Sequence, residues 1–257
     1  MSSAGNISRL SDQLLAIFVL LAVWWGSAAF VNNVLLPTPG EVFSALQVEW
    51  SEQRLLDSLL ITLQRVAISF FCAMLLGGLL GVLMGKFSTV NRILDPLLII
   101  LLNVPALVVI ILLYIWFGLV EAAAVGAVII NKLPNVAVTL REGGRMFDEQ
   151  LEEMARAYHF SFKQKLTELW WPQLFPYIMV ATRSGLALIW KIVLVVELLG
   201  RSDGVGFQLH MAFQLFDVAT ILAYSFAFIF IVQMIEWCIL QPLDRYAQRW
   251  QRGSERV

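Results

Sequence analysis

The run LQRVAISFFCAMLLGGLLGVLM, Leu63–Met84, decides the fold. It is apolar over the roughly 20 residues an α-helix needs to cross about 30 Å of hydrocarbon. Working outward, Leu14–Phe30, Leu94–Phe117, Ala122–Leu140, Tyr177–Leu199 and Val218–Leu240 have the same character, which makes about six candidate spans. In lipid every backbone N–H and C=O must be satisfied within the segment, so these runs are expected to be helices. The period-2 alternation of a membrane barrel is absent. The reading is an all-α polytopic membrane protein, with residues 1–257 forming one domain.

Composition agrees. Of 257 residues 59% are hydrophobic and 14% charged, against roughly half and a quarter in soluble domains. A net charge of -1 provides no basic field for nucleic acid. Cys72 and Cys238 both lie in apolar runs, so neither a disulfide framework nor a CxxC site is expected.

Lys and Arg set the orientation. With both termini cytoplasmic, the inner segments hold Arg9, Lys86, Arg92, Arg141, Arg145, Arg156, Lys163, Lys165, Arg245, Arg249, Arg252 and Arg256, whereas the outer ones hold Arg54 and Arg201. The small residues Gly26-Ser27-Ala28-Ala29 would also suit cleavage of the first span as a signal peptide, but Arg9 offset by Asp12 makes a weak leader. The segment from Leu36-Pro37-Thr38-Pro39-Gly40 is expected to turn and enter an amphipathic stretch through about Trp50. Gly200–Asp217 reads as a short second outer loop. The longest polar interval, residues 141–172, is helical in pattern: Leu151, Met154, Ala155 and Tyr158 recur at three- and four-residue spacing. Such a segment outside the membrane requires a partner.

Catalytic motifs are missing. Gly85-Lys86 resembles the end of a phosphate-binding loop, but the glycine it needs five residues earlier is Leu80 and the hydroxyl position is Phe87. The two histidines, His159 and His210, form no triad or HExxH arrangement. Gly77, Gly81 and Gly85 stand four apart and should admit another helix closely. Pro105 and Pro134 fall inside the third and fourth runs, as kinks for packing or for a path. Lys132, Arg183, Lys191 and Glu197 lie within apolar runs, where a central charge costs at least about 2.5 kcal/mol. Two readings stand: interhelical pairing, for example Glu197 with Lys132, or an electropositive path for an anionic substrate. Arg183 and Lys191 are about 80° apart on a helix, whereas Glu197 is about 240° from Lys191.

The segment Glu153-Met154-Ala155-Arg156-Ala157-Tyr158-His159 through Leu169-Trp170-Trp171-Pro172 resembles the EAA loop of ABC importer permeases. Similarity to the nitrate/sulfonate/taurine branch extends through Leu36-Pro37-Thr38-Pro39, Leu94-Asp95-Pro96, Trp116-Phe117-Gly118, Arg183-x-Gly185 and Trp190 followed by Glu197. The resemblance implies a type I importer permease fold in a bacterial inner membrane. It also implies pairing with a second copy, two cytoplasmic ATPase subunits that bind ATP and magnesium, and a periplasmic solute-binding protein. No cofactor belongs to the chain itself. Glu153, Met154, Ala155, His159 and Pro172 become the coupling residues. His159 stands where the family has glycine and Trp171 where it has leucine, so the turn between the coupling helices could differ in shape. An ion-coupled secondary transporter, usually longer and with internal repeats, and a membrane-embedded enzyme, which needs clustered ionisable groups at depth, are the alternatives.

Overall fold

The computed structural model describes residues 3–31, 33 and 35–242; the basic residues from Arg245 onward lie outside them. Among the described residues every regular element is helical. The helices are α1 (Ser3–Val31), α2 (Pro39–Ser51), α3 (Arg54–Lys86), α4 (Ser88–Asn103), α5 (Ala106–Phe117), α6 (Glu121–Arg145), α7 (Glu149–Ala157), α8 (Phe162–Gln164), α9 (Trp171–Gly200), α10 (Val205–Gln214) and α11 (Val218–Ile235). A π-helical turn, Lys165–Trp170, joins α8 to α9, and a second, Glu236–Leu240, extends α11.

Among the described residues four helical stretches are long and apolar enough to cross a membrane: Arg54–Lys86, Glu121–Arg145, Phe162–Gly200 and Val218–Leu240. The third sequence run is not one straight span. It breaks into α4 and α5, bent by 96°, because Pro105 has no N–H and drives Val104 out of the helical region (φ -73°, ψ 125°). Counted as one span it makes five, and the apolar part of α1, Phe18–Val31, is a shorter helix. Pro134 lies within α6 without interrupting it. The loop expected at Gly200–Asp217 is largely helix, α10. The turn before α2 forms as expected: Thr38 caps the helix, Glu41 closes a capping box and Pro39 takes the first turn.

α6 is the central helix, with half of its apolar window buried against 17% for α11. α3 packs along it through the glycine strip. A Cβ on Gly77 would stand 2.8 Å from the Leu133 carbonyl oxygen, and one on Gly85 would stand 2.5 Å from that of Arg141. The backbones therefore meet with no room for side chains. On the far side of α3, Phe71, Leu75 and Leu79 are exposed. An apolar row of that kind suits lipid or a partner helix, not water. The main core joins Leu55, Val66, Ile110, Val128, Ile189, Val193 and Tyr224 from α3, α5, α6, α9 and α11.

Candidate functional site

Two groups of polar side chains stand at opposite ends of the α3–α6–α9 bundle, with isolated charges between them. At the first end the Arg65 guanidinium, 4% exposed, is the hub. Its Nε donates to Glu121 Oε1 at 2.7 Å and its Nη1 to Glu197 Oε1 at 2.8 Å. Its Nη2 reaches Glu121 Oε2 at 2.8 Å and Asp203 Oδ1 at 2.5 Å. The other oxygen of Glu197, a fully buried residue, accepts from Thr62 Oγ1 and from the Gly206 N–H, each at 2.9 Å. Thr62 Oγ1 in turn accepts from the Val205 N–H at 2.8 Å. Gly204, at φ 92°, permits this closure: a Cβ there would lie 2.5 Å from the Glu197 carboxyl carbon.

This corrects the pairing suggested above, for Glu197 bonds Arg65 and not Lys132. Lys132 is 1% exposed, and its Nζ has no hydrogen-bond partner among the described residues. It lies against Gly185, where a Cβ would stand 3.1 Å from its Cε. Arg183 and Lys191 occupy a different side of α9, toward α11. Arg183 Nη2 is 3.3 Å from Glu236 Oε1, and Lys191 is exposed beside a cleft. The four intramembrane charges thus stand in three separate places. Arg65 carries the same sequence signal, a charge within an apolar run, and is the residue sequence reasoning missed.

At the opposite end the chain leaves α6 and forms α7, capped by Asp148, whose Oδ1 accepts from the Gln150 and Leu151 N–H groups. The turn after α7 places His159 at φ 52°, the left-handed conformation that favours glycine, and the Phe160 N–H closes onto the Ala155 carbonyl at 2.9 Å. The backbone thus keeps the glycine-like turn with histidine in it. Pro172 stands in the first turn of α9.

Glu152 ties α7 down. Its Oε1 accepts from Lys86 Nζ at 3.1 Å and from Trp170 Nε1 at 2.9 Å, and Lys86 Nζ stands 4.1 Å from the centre of the Trp170 ring. Burial pushes the Glu152 carboxyl up, but the bonds from Trp170 and Lys86 outweigh it and hold it below the ordinary glutamate range. Phe147 stacks on Trp170 at 6.1 Å and Phe162 meets the same ring edge-on at 5.9 Å. On α7 Ala155 is buried, whereas Leu151, Glu153 and Met154 are exposed, as is Tyr158 at its C-terminal cap, by 75%. An apolar row at the end of the bundle is thus left uncovered.

The family described as "Binding-protein-dependent transport system inner membrane component" matches residues 73–238. The chain is 28% identical over 239 residues to the taurine transport system permease protein TauC of Escherichia coli (strain K12), covering 90% of this chain and 86% of TauC. It is 23% identical over 205 residues to the nitrate import permease protein NrtB of Synechococcus elongatus, covering 76% and 74%. Among solved structures, the fold resembles the MetNI methionine ABC transporter in an inward-facing conformation, with a TM-score of 0.61 at 15% identity over 74% of this chain and 92% of that one. An amino acid ABC transporter solved with histidines gives 0.58 at 19% identity over 79% and 96%. With the all-helical spanning bundle, these likenesses establish that the chain belongs to the binding-protein-dependent transport system inner membrane components, the permease subunits of ABC importers.

Proposed function

We propose that this chain works as one of two identical permeases around a central path, carrying a small anionic solute released by a periplasmic binding protein. Two cytoplasmic ATPase subunits, which bind ATP and magnesium, dock on residues 141–172. The uncovered row Leu151, Met154 and Tyr158 carries the reading: it lies beyond the spanning part of the bundle, so its burial has to come from another protein. Glu153 on the same helix is exposed and supplies the polar contact, while Ala155 and the His159 turn fix the shape of the docking helix. The names of TauC and NrtB, a taurine and a nitrate permease, support a small anion as solute. Lys132, Arg183 and Lys191 are the charges offered for the path, whereas Glu197, the fourth charge within the apolar runs, is fully buried and bonded to Arg65, Thr62 and Gly206. The chain itself performs no covalent chemistry. Closure of the ATPase dimer on ATP draws the paired loops together and turns the spans outward.

Glu153→Lys tests the docking. A charge reversed at an interface contact costs about 2 to 5 kcal/mol, enough to weaken binding thirtyfold or more. The variant is expected to reach normal membrane abundance, because Glu153 makes none of the contacts that anchor α7, and to lose ATPase co-purification. Retained co-purification with normal ATP-driven uptake would remove the coupling assignment.

A further inference from the structure

Between α9 and α11 lies a cleft of about 420 Å³, lined by Trp190, Lys191, Leu194, Phe228, Gln233 and Glu236 among others. Its charges are unequally used. Glu236, in the π-helical turn that extends α11, is engaged by Arg183 at 3.3 Å. Lys191, on the same side of α9 and about two turns from Arg183, is exposed and has no ion-pair or hydrogen-bond partner among the described residues. An ammonium within a membrane-spanning helix does not face hydrocarbon unpartnered; it turns toward an anion or a water-filled space. Around it the lining is mainly apolar and aromatic, with Trp190 edge-on to Phe228 at 6.0 Å, and Gln233 adds an amide whose N–H groups can donate to an anion. π-helical turns concentrate at functional sites. One such turn ends this cleft.

We propose that the α9–α11 cleft binds an amphipathic monoanion, with Lys191 and Gln233 on its charged head and Trp190 and Phe228 against its apolar body. This deepens the importer reading and rests on it: a solute bearing one sulfonate- or carboxylate-type head and a short apolar body matches one free cation in an apolar cleft, whereas a bare inorganic anion leaves most of the lining unused. A phospholipid presents the same chemistry, an anionic head on an apolar body, so the source has to be distinguished by experiment.

The test is calorimetric titration of the full-length chain in phosphatidylcholine nanodiscs with hexane-1-sulfonate, 1-hexanol and inorganic sulfate. The sulfonate is expected to bind one per chain, and hexanol and sulfate about tenfold more weakly or not at all, since each lacks one half of the recognition. Lys191→Met should weaken the sulfonate about tenfold or more and Lys191→Arg should restore it. Equal binding by the wild-type protein and Lys191→Met would overturn the proposal. So would tight retention of phosphatidylglycerol by the wild-type chain, lost in Lys191→Met and blocking the sulfonate, because the cleft would then be a lipid site. ATP-driven sulfonate uptake in vesicles that hold the permease with its ATPase and binding protein separates the two levels: uptake without Lys191-dependent sulfonate binding removes the cleft alone, and absence of uptake of any small anion removes the anion-import reading beneath it.

Discussion

The charged knot around Arg65 and the loop around Glu152 are both polar clusters at the ends of one helical bundle, yet they face opposite ways. In the knot both oxygens of Glu197 and all three guanidinium nitrogens of Arg65 are spent on α3, α6, α9 and the approach to α10. Neither Arg65 nor Glu197, both buried, has bonding left over for a partner. In the loop a single carboxylate anchors α7 to Lys86 and Trp170, and the helix turns its apolar row outward. The difference is in what is left unbonded: Arg65 and Glu197 are saturated within the bundle, and α7 keeps an exposed apolar row. The knot holds the fold, and the loop has bonding surface to spare.

The largest test of that distinction is Arg65→Met. It leaves Glu197 fully buried with an uncompensated charge, and breaking a buried pair from one side costs about 3 to 5 kcal/mol. A markedly lower melting temperature in detergent and reduced membrane abundance are expected. Adding Glu197→Leu to Arg65→Met should return part of the loss, as a double-mutant cycle would measure. Wild-type melting by Arg65→Met would mean that the knot holds nothing together.

Lys132 stands between the two ends, inside the bundle. It is as buried as Arg65 and Glu197, but its amine has no hydrogen-bond partner among the described residues. Lys132→Met keeps the stem that packs against Gly185 and removes the unsatisfied group, a change worth about 1 to 3 kcal/mol. The variant is expected to melt at a higher temperature than the wild-type protein. A lower melting temperature would mean that the ammonium holds a stabilising partner in the folded bundle.

Much of this was legible in the sequence. Five of the six expected runs, counting the bent α4–α5 pair as one, together with the glycine strip on α3 and the amphipathic α7, follow from hydrophobic length and spacing, whereas the first run, Leu14–Phe30, gives only the shorter apolar helix Phe18–Val31. The break at Pro105 was visible as a proline, but its size, 96°, depends on what α4 and α5 pack against. The partner of Glu197 was not legible. Arg65 lies 132 positions away, and helical spacing relates residues on one helix, not those on two. Glu152 was hidden beside Glu153 for a similar reason: α7 rotates one toward Lys86 and Trp170 and leaves the other exposed, and the phase of that rotation comes from packing. His159 was the reverse case. Histidine in place of the family's glycine left the shape of the turn open, and the structure keeps the glycine-like left-handed backbone, with φ 52°.

The smallest expected effect lies in the loop, at Glu152. Because the folded protein holds this carboxyl below its ordinary value, the contribution is fully present above the ordinary glutamate range and is lost as pH falls through the lower folded value. Protonation removes the charge that Lys86 and the Trp170 N–H favour, and leaves the ring packing of Phe147, Phe162 and Trp170 in place. The loss should therefore stay local to α7, at about 1 kcal/mol, or about fivefold in amide-exchange protection, since these groups are partly solvated. Glu152→Gln should show that reduced protection at every pH, because its amide oxygen still accepts from the indole but carries no charge for Lys86. Wild-type protection, corrected for intrinsic exchange, should fall toward the variant's level in acid while the protection of α6 is unchanged. If the variant and the wild-type protein differ equally at all pH values, the Glu152 charge does not anchor the loop. If α6 loosens together with α7, the loop and the bundle are one cooperative unit and the contrast between the two ends fails.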